Sequence, residues 1–126
     1  MGAVVLERLP TKLYAGRKSA DFARYRAEVA AAMKKPGHAN AFSHTTHLQY
    51  DAPAAAPSSV TTPTLVIKGE TQPDFPDPPV EAQWVADQLK GTVRMVPESG
   101  HYPQAQRPDP FSLAVEAFAD EVHRRA

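Results

Sequence analysis

The sequence contains no cysteine, and this absence excludes several kinds of chemistry at once. Without thiols the chain has no disulfide bridges, no cysteine nucleophile, no iron–sulfur cluster and no cysteine-ligated zinc. It also has no excess of charge of either sign, since 14 Lys and Arg residues balance 14 Asp and Glu residues. Nucleic acid and anionic membranes attract proteins through concentrated positive charge, so we expect neither of them to be the main partner.

Long hydrophobic runs are also missing, although 42% of the residues are hydrophobic. The uninterrupted apolar stretches are far shorter than the roughly 20 residues that a membrane-spanning helix needs. Glu7 and Arg8 interrupt the short apolar stretch near the amino terminus, so we expect no secretory signal peptide. Because cysteines and an export signal are both missing, the expected compartment is the cytoplasm.

Proline, in contrast, is abundant, with 13 prolines among 126 residues. This is roughly twice the usual share, and the length allows one small domain at most. Such a composition indicates many loops and sharply delimited helices, or else an incomplete domain. Composition and hydrophobic pattern divide the chain into two parts. Residues 1–62 form a helical, lid-like segment with an Ala/Pro-rich connector, and residues 63–126 alternate strands and helices.

The first part predicts surface helices followed by a connector. Val4–Leu6 fits either a short strand or the start of a helix. Ser19 is a suitable N-cap for an amphipathic helix over roughly residues 20–34. A second short helix is expected within residues 38–50, and residues 51–63 are too rich in Ala, Pro, Ser and Thr to form an element.

The second part predicts the order strand, helix, strand, helix. Thr64–Ile67 is a short β-branched run typical of a buried strand, and Thr92–Val96 predicts a second strand. An aspartate followed by a proline predicts the start of each helix, and Gly91 is expected to close the first one. The two pairs are Asp77-Pro78 and Asp109-Pro110. The expected fold class is therefore α/β, with two parallel strands joined by a right-handed crossover.

The aromatic residues of these helices are expected to pack against the sheet. Trp84, Phe111 and Phe118 lie on helical stripes, which is the usual pattern of residues that cover a core. Parallel sheets, however, occur almost only inside larger layered cores. With only two strands recognisable, the second part is typical of the edge of a bigger sheet.

His101 is the residue most suggestive of chemistry, because it follows a strand at the carboxyl edge of the predicted sheet. Its imidazole can act as a general base near neutral pH, and the alternative is a loop histidine that bonds the backbone. Asp74 and Asp77 follow the other strand at the same edge, where a carboxylate can orient an imidazole. Asp77 already has a role as a helix N-cap, so Asp74 is the better partner.

Two other groupings favour structural interpretations. Ser99 stands close to His101, but residues two apart in a loop rarely direct their side chains at each other. His44 and His47 would share one face of a helix and could bind a metal together with Asp51. No further ligand stands at a recognised zinc spacing, so we expect neither a metal nor a cofactor.

Several segments of the chain resemble an α/β-hydrolase with a helical lid. The segments similar to its carboxyl-terminal part are Pro63–Gly69, Asp74–Pro78 and Val96–Gln104, and the lid-like segments are Tyr14–Lys18 and Asp21–Arg26. The resemblance covers roughly residues 10–123. It implies a partial α/β-hydrolase fold, consisting of the last two parallel strands with flanking helices plus a lid segment. By this likeness His101 matches the catalytic histidine.

The sequence departs from the family in two places. The position where the family generally has its catalytic acid holds Gln72, and Asp74 stands two residues further on as a possible substitute. The family's serine nucleophile lies in a Gly-x-Ser-x-Gly turn, and no serine of this sequence has glycines on both sides at that spacing. The serines are Ser19, Ser43, Ser58, Ser59, Ser99 and Ser112.

The resemblance implies hydrolysis of a small ester or related acyl compound by a serine nucleophile. Because the nucleophile turn is missing, we expect little or no activity from these 126 residues alone. They would belong to a truncated or split hydrolase, whose other half is a separate complementary chain or an unsequenced portion of the gene. One alternative is a non-catalytic binding module that covers its sheet edge by forming a homo-oligomer. Another is an enzyme that uses His101 and a carboxylate without a serine.

Overall fold

The computed structural model of the protein describes residues 11–45 and 59–125. Its helices and strands follow each other in the mixed order of an α/β protein, as predicted. We number them along the chain as α1 (Phe22–Met33), α2 (His38–Thr45), β1 (Leu65–Gly69), α3 (Pro78–Leu89), β2 (Thr92–Val96), α4 (Pro103–Gln106) and α5 (Pro108–Arg125).

The two strands form a parallel sheet, and α3 connects them. The register pairs Leu65 with Thr92 at one end and Gly69 with Val96 at the other. This confirms the strand–helix–strand order that the apolar runs predicted. The first four residues of β1 are nevertheless only half-buried. In the described part of the chain, the sheet thus lacks the cover that parallel sheets normally have on both faces.

Helix α3 begins and ends close to the predicted positions. The Asp77 side chain accepts a hydrogen bond from the Val80 amide at 3.1 Å, which confirms the N-cap. The helix ends at Leu89, and its C-cap is Lys90, which has a left-handed φ of 52° and precedes Gly91. Gly91 is needed for another reason, because a Cβ there would stand 2.7 Å from the Thr64 carbonyl oxygen.

Two predicted N-caps are wrong. Asp21 occupies the N-cap position of α1, and its side chain makes no capping hydrogen bond. Ser19 contributes its backbone carbonyl, which accepts a hydrogen bond from the Phe22 amide at 3.1 Å. Helix α5 begins two residues earlier than predicted, at Pro108 and not at Pro110, so Asp109 lies inside its first turn. Proline is well suited to the first position of a helix because its fixed φ is already helical and it has no N–H to satisfy.

The apolar core of the described residues is small. Its buried hydrophobic residues are Tyr14, Ala82, Ala86 and Val96. Trp84 does not pack as predicted and is 55% exposed. The buried residues of helix α3 are Ala82 and Ala86. Trp84 is two residues from each of them along the chain, which places it about 200° around the helix axis and therefore on the opposite side of the helix. Phe111 and Phe118 on α5 are half-buried.

Candidate functional site

The candidate site lies at the carboxyl edge of the sheet, where the loops after β1 and β2 meet. The loop after β2 turns sharply, with Glu98 at a left-handed φ of 53°, and then carries His101. Ser99 is fully buried in this loop, and its hydroxyl donates to the Val96 carbonyl oxygen at 2.8 Å. The loop is therefore anchored directly to the end of the strand.

The loop after β1 is hydrogen-bonded to the loop after β2. The Thr71 amide and the Thr71 hydroxyl both donate to the Ser99 carbonyl oxygen, each at 2.9 Å. The chains approach so closely that a Cβ on Gly69 would stand 2.2 Å from the Gly100 carbonyl oxygen. Only glycine fits such a separation, so Gly69 allows the two loops to carry their side chains to one point.

Asp74 and His101 meet there. Oδ2 of Asp74 lies 2.9 Å from Nδ1 of His101, and each side chain is 40% exposed. Asp77 is not at this point, because its side chain caps α3. Of the two carboxylates that the sequence places after β1, the structure thus brings Asp74 to the imidazole.

Gln72 approaches the same ring nitrogen. Its Nε2 lies 2.8 Å from Nδ1 of His101. Its Oε1 is buried and has no hydrogen-bond partner among the described residues. The glutamine at the position expected for the acid therefore contacts the imidazole without supplying a negative charge.

Ser99 cannot serve as the nucleophile in this geometry. Its side chain is 0% exposed, and its hydroxyl is engaged with the carbonyl oxygen of Val96. A nucleophile has to reach both its substrate and the base that takes its proton. Ser99 meets neither requirement, in agreement with the sequence analysis.

Gln106 positions the histidine loop, and sequence reasoning did not single it out. Its side chain is almost fully buried in α4, and its Oε1 accepts a hydrogen bond from the Gly100 amide at 2.9 Å. Its Nε2 donates to the carbonyl oxygens of Ala15 and Arg17 at 2.7 and 2.6 Å. One amide thereby joins the segment before α1 to the loop that carries His101. Nothing in the local pattern distinguishes it from the exposed Gln104 beside it.

The segment before α1 also bonds the histidine loop through its backbone. The His101 amide donates to the Leu13 carbonyl oxygen at 2.7 Å, and the Arg17 amide donates to that of Glu98 at 2.8 Å. Gly16 lies between these contacts with a φ of 80°, and a Cβ there would stand 2.5 Å from the Glu98 carbonyl oxygen. The segment before α1 thus holds the backbone on which His101 stands.

An aromatic cluster flanks the imidazole. Tyr102 meets the His101 ring edge-on at 4.8 Å between centroids and lies 4.9 Å from the ring of Tyr14. Tyr14 also packs against Phe22 and Tyr25 of α1, at 4.8 and 5.6 Å. Burial raises the pKa of both Tyr14 and Tyr102. Their hydroxyls therefore stay protonated at neutral pH and can donate hydrogen bonds.

Lys68 is the basic residue of β1, one position before the Gly69 that ends the strand. Burial, its largest influence, lowers the pKa of Lys68, while Glu81 and Asp74 act in the opposite direction. Its Nζ lies 3.5 Å from the centre of the Phe75 ring, at a distance typical of a cation–π contact. Lys68 thus contacts the loop that carries Asp74 through Phe75.

His101 stands on an open surface. Among the cavities in the described part of the chain, one of about 350 Å³ lies between Arg17–Ala20 and Ala105–Pro110. Another, of about 370 Å³, lies at the opposite end of the strands, beside Thr64 and Thr92. His101 lines neither cavity. Residues outside the loops after β1 and β2 would have to form the walls that enclose a substrate at the imidazole.

The described residues offer no group of three or more His, Asp or Glu side chains that could hold a metal ion. His44 lies on α2, whereas His47 and Asp51, the other members of the trio considered above, lie outside the described residues. None of the helices within residues 11–45 and 59–125 combines the length and apolar character that a membrane span needs.

Comparison with known proteins found no relative: no family model, no curated protein and no solved structure matches the chain.

Proposed function

We propose that the chain is the lid and carboxyl-terminal part of an α/β-hydrolase, with His101 as the general base and Asp74 as its acid partner. The observation that carries this proposal is the 2.9 Å contact between Asp74 Oδ2 and His101 Nδ1 at the carboxyl edge of a parallel sheet. A carboxylate at Nδ1 holds the hydrogen of a neutral imidazole on that nitrogen and leaves Nε2 free to take a proton. His101 then activates a serine hydroxyl and later a water molecule.

The nucleophile of this reaction comes from outside these 126 residues. The sequence has no Gly-x-Ser-x-Gly turn, and Ser99 is buried and engaged. The chain alone is therefore expected to be inactive, and its substrate, a small ester or acyl compound, binds only when the complementary part is present. A cytoplasmic compartment remains the expectation from the sequence.

The DNA upstream of Met1 provides the test. We expect an in-frame Gly-x-Ser-x-Gly turn there, and the extended polypeptide should hydrolyse p-nitrophenyl acetate with a burst of p-nitrophenol. His101→Ala should lower kcat by about 10³-fold or more, because removing the base disables the whole triad. The matched control is His123→Ala, since the ring of His123 bonds the Ala119 carbonyl oxygen on α5, within its own helix.

Two results would contradict this proposal. One is a nucleophile turn that is found neither upstream of Met1 nor in a separate chain that completes the fold, and the other is an extended enzyme that keeps its activity in His101→Ala. A burst from the isolated chain that His101→Ala abolishes would overturn the expected inactivity.

A second candidate is a non-catalytic module that associates with itself. Several large apolar side chains are exposed on the described surface, and two of them, Val80 (64%) and Trp84 (55%), lie on α3. A two-stranded sheet also leaves strand edges available for pairing. A second copy of the chain would cover both features.

Sedimentation equilibrium of the purified chain separates the two candidates. A discrete dimer that Trp84→Gln converts to monomer, without loss of helical circular dichroism, favours the self-associating module. A monomer, or undefined aggregates, favours the hydrolase part. Gln88→Ala is the matched control, because Gln88 is an exposed residue of the same helix.

A further inference from the structure

Two side chains compete for one ring nitrogen of His101. Gln72 Nε2 lies 2.8 Å from Nδ1, and Asp74 Oδ2 lies 2.9 Å from it. A ring nitrogen either carries a hydrogen and donates it, or is bare and accepts one. The carboxylate of Asp74 requires a hydrogen on Nδ1, whereas an amide N–H of Gln72 requires a bare Nδ1. Only one of the two contacts is satisfied at a time.

Gln72 is held with its nitrogen towards the imidazole. Its Oε1 occupies a buried position without a partner among the described residues. Turning the amide over would bring Oε1 to His101, but it would place the NH₂ group in that position. Two unpaired N–H donors would then replace one unpaired acceptor, and each buried polar group without a partner costs stability. Gln72 therefore faces Nδ1 as a donor.

We propose that Gln72 is a positioning residue that opposes Asp74, because it stabilises the neutral tautomer of His101 that carries its hydrogen on Nε2. Among the described residues, the groups that face the ring are Gln72 and Asp74 at Nδ1 and the edge-on ring of Tyr102. Asp74 draws the hydrogen to Nδ1, and Gln72 draws it to Nε2. The two tautomers are thus in balance.

The balance bears directly on the base. An imidazole with its hydrogen on Nε2 can donate from that nitrogen but cannot accept a proton there, so this fraction of the protein is not ready to activate a hydroxyl. This consequence rests on the proposed function. The tautomer balance itself follows from the contacts at Nδ1 and does not depend on hydrolysis.

Long-range ¹H–¹⁵N correlation NMR of the ¹⁵N-labelled full chain measures the balance. At alkaline pH each imidazole carries one hydrogen, and the two ring nitrogens report which of them holds it. Gln72→Met keeps the length of the side chain and removes its donor. We expect the ratio of Nδ1–H to Nε2–H to rise about three- to tenfold, the effect of losing one neutral hydrogen bond.

Matched variants complete the experiment. Gln104→Met changes the same residue type at an exposed position of α4 and should leave the ratio unchanged. Asp74→Asn should lower the ratio. Gln72→Glu keeps the size of the side chain, replaces the donor with a second acceptor and should raise the ratio further.

An unchanged ratio in a folded Gln72→Met protein would overturn the proposal. If that variant does not fold, Gln72→Glu provides the same test. An unchanged ratio of Nδ1–H to Nε2–H in Gln72→Glu would also contradict the claim that Gln72 opposes Asp74. Failure of the proposed function is recognised separately: the ester assay of the extended polypeptide would then show no dependence on His101, whatever the tautomer ratio.

Discussion

Oδ2 of Asp74 lies 2.9 Å from Nδ1 of His101, although 27 residues separate the two along the chain. Parallel pairing of β1 and β2 brings the two loops to one edge of the sheet, and Thr71 bonds them together at the Ser99 carbonyl oxygen. The contact is made on the surface, with both side chains 40% exposed. We therefore expect the contact to contribute little to the stability of the fold and much more to catalysis.

Asp74→Asn should barely change the stability of the fold. Each of the two side chains is 40% exposed, so solvent weakens their interaction and we expect the free energy of unfolding to fall by at most about 1 kcal/mol. Urea unfolding followed by circular dichroism measures this difference, with Asp120→Asn on the exposed face of α5 as the control. A loss of about 3 kcal/mol or more would show that the pair is structural.

Gln106→Ala should be much more damaging. The substitution leaves the buried Gly100 amide without its partner and also removes the two part-buried hydrogen bonds to the carbonyl oxygens of Ala15 and Arg17. Each unsatisfied buried group costs about 1–3 kcal/mol, so we expect a total loss of at least about 2 kcal/mol in urea unfolding.

The matched control for this prediction is Gln104→Ala. Gln104 belongs to the same short helix and is exposed. Its substitution should change the free energy of unfolding by about 0.5 kcal/mol or less, as for ordinary surface positions. Equal losses in the two variants would contradict the positioning role of Gln106.

Gly69→Ala should separate the two loops of the site. Its Cβ would stand 2.2 Å from the Gly100 carbonyl oxygen and 2.3 Å from that of Ser99, so the backbone has to move. We expect a loss of about 3 kcal/mol, at the upper end for overpacking. Gly37→Ala is the control, because nothing lies within 4 Å of its Cβ and only its φ of 82° is unfavourable. That strain costs roughly 1–2 kcal/mol.

Stability should also fall at high pH because of the buried tyrosines. Burial raises the pKa of Tyr14 above its ordinary value of 10.0 in the folded chain. The stabilisation is complete below pH 10 and is lost as the pH rises through the folded pKa, because the unfolded chain releases this proton first. Urea unfolding between pH 8 and pH 11 should show a smaller decrease for Tyr14→Phe than for the unsubstituted chain. An equal decrease would contradict the prediction.

Much of the second half could be predicted from the sequence. The β-branched runs at Thr64–Ile67 and Thr92–Val96 and the Asp77-Pro78 pair are strong local signals, and the structure has a strand or a helix start at each of them. Asp109-Pro110 gives the same local signal, but Pro108 takes the first helical position before it. The local sequence predicts that a helix starts in this region, but it does not determine which residue is the first.

The rest depends on contacts between distant residues. Gln106 and the exposed Gln104 are alike in the sequence, and only the approach of Ala15 and Gly100 distinguishes them. Trp84 belongs to a helical stripe, but α3 contacts this small sheet through its alanines. From the sequence, Gln72 could be recognised only as a residue without charge at the position expected for the catalytic acid. Its competition with Asp74 for one nitrogen of His101 emerges when the two loops are in place.

The most direct test of the central claim is the kcat of Asp74→Asn in the extended polypeptide that carries the nucleophile turn, measured with p-nitrophenyl acetate beside Asp120→Asn. If Asp74 orients His101 and stabilises its protonated form, kcat should fall by about 10²- to 10⁴-fold, while Asp120→Asn keeps full activity. A kcat that Asp74→Asn leaves unchanged would contradict the pairing as the basis of catalysis.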